Sequence, residues 1–127
     1  MLKIDASFGG FSVNNLEAAK EFYTKKLGLT VKNDDMGLMF ELPGGGMVFA
    51  YEKPNHEPAS YTMLNFEVRD IDAAVDELAS RGVTFEHYDG MHQDDKGIAR
   101  GIAAQMGPDI AWFKDPAGNI LAVLKNG

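Results

Sequence analysis

Few residues in this chain could do chemistry, and their spacing limits what that chemistry is. His87 and His92 stand close to Asp89, Asp94 and Asp95. Imidazoles and carboxylates at such short separations are the donors a divalent ion takes, yet the spacing matches no metal-binding loop, and an acidic surface loop accounts for it as well. His56 lies in a polar linker between Pro54 and Pro58, where solvation is the expectation. Glu67 and Asn65 alternate along an apolar stretch. In a low-dielectric cleft such a carboxylate could take or give a proton; at a wet strand end it would only be hydrated. Arg100 sits in a long glycine-containing segment and could reach an anionic group. Gly44-Gly45-Gly46 follows a strand pattern but opens no helix, so it reads as a hairpin turn and not a phosphate loop. The absence of cysteine excludes disulfides, thiolate nucleophiles and zinc–sulfur sites. No nucleophile–base pair is suggested by the spacing.

The elements that must position these residues are written twice. Val13-Asn14-Asn15-Leu16-Glu17-Ala18-Ala19 returns as Val68-Arg69-Asp70-Ile71-Asp72-Ala73-Ala74, and Phe40 to Met47 can be laid on Phe113 to Ile120. Two echoes in the same order point to a duplicated half-domain. The first copy predicts a strand from about Ile4 to Val13. A helix follows, with Asn14 or Asn15 as N-cap and Gly28 beyond its end. Then come a strand at Leu29 to Lys32 and a hairpin of Leu38 to Leu42 and Met47 to Lys53. The second copy predicts strands at Tyr61 to Val68 and Val83 to His87 around a helix capped by Asp70. A long segment from Tyr88 to Pro108 and a closing hairpin of Asp109 to Lys114 and Ile120 to Lys125 complete it. Long segments of that kind often cover binding sites. The plan is one 127-residue domain with module one at 1–56 and module two at 57–127.

Strand alternation sorts the side chains. Phe11 and Val13, with Phe66 and Val68, should pack beneath the helices, leaving Phe8, Gly10 and Ser12, and Tyr61, Met63, Asn65 and Glu67, on the opposite faces. A sheet covered by a helix on one side needs another cover on the other, and two such sheets curling together would enclose a shared cleft. Phe8, Phe49, Tyr51 and Tyr61 are the aromatics expected there, able to stack on a ring or a cation; Trp112 could point either way.

Composition narrows the partners. With 12 basic against 19 acidic residues the formal charge is −7, which disfavours nucleic acid and anionic membrane. No segment approaches membrane-spanning length, and a cytoplasmic protein is the expectation.

The repeated Val-x-Asn/Asp-Leu/Ile-Glu/Asp-Ala-Ala boundary, Glu21-Phe22-Tyr23 before Leu27-Gly28-Leu29, and the hairpin Phe113-Lys114-Asp115-Pro116-Ala117-Gly118-Asn119 together resemble the vicinal oxygen chelate superfamily of glyoxalase I, bleomycin-resistance proteins and extradiol dioxygenases. The resemblance spans nearly the whole chain. It implies an α+β fold of two tandem βαβββ modules, each curling a mixed sheet around a shared cleft, commonly as a homodimer. Metal-dependent members hold a divalent ion with a His in the first strand and a Glu in the last strand of a module. Counting from the motifs places those four positions at Phe8, Phe49, Met63 and Ala122, none of which can donate an imidazole or a carboxylate. The resemblance therefore implies a metal-free member with no cofactor that sequesters a small organic or aromatic molecule. Phe8, Phe49, Tyr51, Tyr61, Met63, Trp112 and Ala122 would line the site, with Asn65 or Glu67 as polar anchor and Arg100 within reach. Two alternatives stay open. One is a lyase or isomerase using Glu67 or an unrecognised loop metal site; the other is an interaction module whose cleft is filled by its own side chains.

Overall fold

Each half of the sequence contains one amphipathic helix and four short strands, and each half builds its own sheet. In the computed structural model, which describes residues 1–127, the chain divides into two compact units, Met1–Glu57 and Pro58–Gly127. The first holds β1 (Gly9–Val13), α1 (Leu16–Glu21), β2 (Thr30–Asp34), β3 (Gly37–Glu41) and β4 (Met47–Glu52). The second holds β5 (Thr62–Glu67), α2 (Ile71–Ser80), β6 (Ala99–Arg100), β7 (Asp109–Lys114) and β8 (Ile120–Lys125). The sheet orders are β1-β4-β3-β2 and β5-β8-β7-β6, so the duplicated sequence gives a duplicated topology. In each unit the first and last strands pair in parallel and the remaining pairs are antiparallel. No helix is long and apolar enough to cross a membrane.

The helices start where the sequence places them. Asn15 and Asp70 are extended N-caps whose side chains accept from the amides of Ala18 and Ala73, each at 3.0 Å. After α1 the chain makes a π-helical turn over Phe22–Lys26. Thr24 Oγ1 donates back to the Lys20 carbonyl at 2.6 Å, and Gly28 leaves the turn at φ 73°. That turn seats Tyr23 in the core, fully buried, with its ring centroid 4.9 Å from that of Phe40 and 5.6 Å from that of Phe11. In the second unit Phe113 is the counterpart of Phe40, also fully buried, with Phe85 packed against it edge-on at 5.7 Å. Ile71, Val75 and Leu78 give α2 its buried stripe.

Two expectations need correction. β1 begins at Gly9 and not at Ile4, because β4 supplies no partner before Val48; Ile4 is exposed. Val83 to His87 does not form a strand. Phe85 makes a single bridge to Phe113, and the Glu86 amide donates to the Trp112 carbonyl at 2.8 Å. There the ladder stops, because the side chain of Gln93 takes its place. Gln93 Oε1 accepts from the Tyr88 amide at 2.7 Å, and Nε2 donates to the carbonyls of Glu86 and Gly97 at 2.8 and 2.7 Å. The fourth strand of this sheet is instead Ala99–Arg100, from within the long segment.

That segment is tied to α2 by charge. Arg100 donates to both oxygens of Asp72 at 2.9 and 2.8 Å and to Asp94 at 3.2 and 3.0 Å. Lys96 bridges Asp72 and Asp76 at 3.0 and 2.8 Å. The hydrogen bonds from Arg100 and Lys96 hold the Asp72 carboxyl far below the usual carboxylate range. Burial pushes Asp94 up, but the Ile98 amide and Arg100 outweigh it, and its net displacement is downward. Asp76 and Asp72 raise Lys96.

Asp115 is buried in the β7–β8 turn, where Oδ1 accepts from the amides of Ala117 and Asn119 and Oδ2 from the side-chain amide of Asn119, all at 2.9 Å. Asp115→Ala strands these buried donors and should cost about 3 kcal/mol in urea unfolding. For the charge network, the depressed carboxylates stabilise the fold fully above about pH 4, and that contribution is lost as pH falls through their lower folded values. The raised Lys96 acts in the opposite sense, contributing below about pH 10 and failing above it. The urea-midpoint gap between wild type and Arg100→Ala should therefore be constant from pH 6 to pH 9 and shrink progressively as the pH is lowered below about 4.

Candidate functional site

The pleat decides which side chains of the first unit are available. Along β4, Val48 and Ala50 are buried against the helical side, while Met47, Phe49 and Tyr51 point to the other face. β1 repeats the pattern: Phe11 and Val13 are buried, and Gly10 and Ser12 alternate with them. In register, Gly10 stands beside Phe49 and Ser12 beside Tyr51. The rings of Phe49 and Tyr51 lie nearly parallel, 20° apart with centroids at 6.1 Å. Tyr51 is 38% exposed and Phe8, just before β1, is 63% exposed. Phe49 and Tyr51 thus share the open face of the first sheet, and Phe8 lies exposed just before β1.

At the rim of this aromatic face lies a contact with no forerunner in the sequence reading. Ser12 Oγ is 2.6 Å from His56 Nδ1, and the pair is partly buried. The Lys53 amide donates to the Val13 carbonyl, and the His56 amide to the Lys53 carbonyl, so the linker folds back over the end of β1. His56 is therefore not a solvated loop residue. The pair is 44 positions apart and matches no motif; the one available signal was that Ser12 alternates with Phe11 and Val13 and so had to face outward.

The second unit differs because β5 carries a bulge. Thr62 pairs with Ile120, and Leu64 already pairs with Leu121, so Met63 has no partner on β8. Upstream of Leu64 the alternation shifts by one. Thr62 comes onto the face shared by Asn65, Ala122 and Trp112, and the Trp112 indole donates to Thr62 Oγ1 at 3.2 Å. Thr62, not Met63, is therefore the counterpart of Phe8 on this sheet. Trp112 turns to the face away from α2 but is only 9% exposed, because the ring of Tyr88 packs edge-on against it at 5.6 Å. The Tyr88 hydroxyl is buried with no hydrogen-bond partner; burial first, and then the charge of Glu86, push it up.

The remaining expected residues fall as follows. Asn65 and Glu67 lie exposed on the same open face of β5, and Tyr61, one residue before it, is 70% exposed. Ala122 is 0% exposed beneath the row it shares with Asn65 and Trp112, so it forms floor and not contact surface. Arg100 has its guanidinium spent on Asp72 and Asp94. His87, His92, Asp89 and Asp95 are exposed, and Asp94 caps its own turn by accepting from the amides of Lys96 and Ile98. No three His, Asp or Glu side chains gather in a way that could hold a metal ion. Phe8, Phe49, Met63 and Ala122, the positions expected to align with the family's metal ligands, and Thr62, which takes Met63's place on the open face, carry no imidazole or carboxylate, a donor set that does not fit a divalent cation.

Comparison with known proteins places this geometry. Over its whole length the chain superposes on TnmS3, described as an antibiotic-binding protein from Streptomyces sp. CB03234. The identity is 22% and the TM-score 0.69, with 100% of this chain and 99% of that one covered. FosX, a genomically encoded fosfomycin resistance protein from Listeria monocytogenes, superposes with a TM-score of 0.70 at 12% identity, over 99% of this chain and 96% of that one. An integron cassette protein from the mobile metagenome of the Halifax Harbour sewage outfall gives 0.68 at 23% identity, over 96% and 99%. At these identities the likeness is one of fold. Comparison with curated proteins gave no match. The sequence pattern of one family matches residues 8–123, and the chain belongs to that family, the Glyoxalase/Bleomycin resistance protein/Dioxygenase superfamily.

Proposed function

We propose that this protein binds a small organic molecule, an aromatic one, by surface contact and without a resident metal. The observation that carries the reading is the pair of nearly parallel rings, Phe49 and a half-exposed Tyr51, on the open face of the sheet; the family resemblance supports it, since it would put an imidazole and a carboxylate where Phe8 and Phe49 are. Flat, weakly hydrated surface of this kind gains most from stacking against another ring. Two relatives of the same fold support the reading by what they are, one an antibiotic-binding protein and the other a fosfomycin resistance protein. Sequestration requires no reacting group, only a surface that binds tightly enough to lower the free concentration of its ligand.

A thermal-shift screen of planar aromatic antibiotics, bleomycin and fosfomycin tests this. A ligand at a hundred times its Kd raises stability by about 2.7 kcal/mol. Planar aromatic compounds should raise the melting temperature, fosfomycin should not, and prior dialysis against EDTA should change nothing. Tyr51→Ala and Phe49→Ala should each weaken the best binder about fivefold to tenfold. Stabilisation that appears only when a divalent ion is added, or none from any aromatic compound, would overturn the proposal.

A further inference from the structure

The second sheet carries an aromatic platform covered by its own chain. Trp112 lies on the face away from α2, and its indole N–H donates to Thr62 Oγ1 at 3.2 Å, which fixes the ring plane. In register beside Trp112 stands Ala122, and beside Ala122 stands Asn65, one row across three strands. Adjacent strands are about 4.8 Å apart, so the row is about 10 Å long, the span of a fused two- or three-ring system. Ala122 adds only a methyl group to that floor, and Asn65 at its far end is exposed. The indole itself is 9% exposed, because the ring of Tyr88 packs edge-on against it with centroids 5.6 Å apart.

Tyr88 is held lightly in that place. Its hydroxyl is buried and has no hydrogen-bond partner. Burying a hydroxyl unpaired costs about as much as an edge-on ring contact gains, so the two nearly offset. The backbone is anchored separately: the Tyr88 amide donates to Gln93 Oε1 at 2.7 Å, and its carbonyl accepts from the Met91 amide at 3.2 Å. The ring can therefore leave by rotation about its side-chain bonds, with no change in the segment that carries it. His87 and Asp89 on either side are exposed, so water is at hand for the freed hydroxyl.

We infer that Trp112, Ala122 and Asn65 form a second binding site, for an uncharged fused-ring aromatic molecule, and that Tyr88 occupies it until the ligand's ring takes its place on the indole. A flat ring with no hydroxyl to bury keeps the aromatic contact and lets Tyr88 hydrate its own. Lys114, which follows Trp112 on the same face of β7, has its ammonium 3.4 Å from Glu86, so neither charge calls for a charged ligand. The site belongs to the second sheet and does not depend on the first-sheet reading, which substitutions of Phe49 and Tyr51 test.

The probe is quinoline, a two-ring heterocycle that is neutral at neutral pH. The chain has a single tryptophan, so one indole N–H resonance in heteronuclear NMR spectra reports the site. Quinoline titrated into the whole protein should move that resonance to saturation. Affinity is reduced by the fraction of molecules in which the site is covered, so two substitutions of Tyr88 should act in opposite directions. Tyr88→Ala removes the cover and should tighten quinoline about fivefold. Tyr88→Phe covers the indole without an unpaired hydroxyl; it should weaken quinoline about fivefold and raise the urea midpoint. The opposite signs separate a cover from a wall, because a tyrosine that touched the bound ligand would lose affinity on truncation. Weaker or unchanged binding by Tyr88→Ala overturns the inference. So does a Trp112 resonance that quinoline moves in neither wild type nor Tyr88→Ala. Tyr88→Phe keeps the shape of the ring and so carries the test even where Tyr88→Ala does not fold; unchanged or tighter binding by it overturns the inference as well. Each of these failures leaves the first-sheet reading standing.

Discussion

Each sheet is buttressed by a helix on one face only, and the two-residue period of the strands carries that asymmetry to every side chain. In the first unit the helical side is closed by Tyr23, which touches Phe11, Phe22 and Phe40 at once. Because that side is full, Phe49 and Tyr51 have only the other face to occupy. Large rings are therefore exposed there not by accident of a loop but by the same pleat that buries Val48 and Ala50 between them. A surface held this way is stiff: the rings can change rotamer, but their Cα positions are set by the ladder to β1 and β3.

The second unit solves the same problem differently. Its open face is partly closed from within, by Trp112 bonded to Thr62 and by Tyr88 packed on the indole. The segment that carries Tyr88 has little regular structure, yet it is not loosely attached. Gln93 replaces the missing ladder with three side-chain hydrogen bonds, and Arg100 and Lys96 fasten its far end to α2. Individually exposed ion pairs contribute little, but a shared network whose members hydrogen-bond more than one partner holds a geometry better than isolated pairs do. The duplicated sequence thus yields one aromatic face that is open and one whose indole is covered.

Much of this was legible beforehand, for particular reasons. The caps at Asn15 and Asp70, the apolar stripe of α2 and the hairpin turns depend on contacts between near neighbours, so residue order alone reveals them. The inward and outward sorting of Phe11, Val13, Phe49 and Tyr51 follows from alternation, which needs no tertiary knowledge. What could not be read depended on distant groups. The Ser12–His56 bond joins positions that only the pairing of β1 with β4 brings together. The loss of the Val83–His87 strand turns on one glutamine side chain, and strand propensity says nothing about a competitor five residues downstream. Arg100 looked available because its acidic partner Asp72 lies on another element, 28 positions earlier.

The unpaired Met63 bears on how this chain can change over time. Position 8 in the first half can exchange one outward group for another by simple substitution. In the second half the strand runs a step out of phase, so removing a single codon between Thr62 and Leu64 would exchange the outward and inward sets of everything before it, Tyr61 included. That shift would have to be absorbed before Pro58, which lies against Gly118. Deletion, more than replacement, is then the short mutational route by which this half would acquire a new set of outward groups, and sequence comparison that scores only substitutions would pass over it.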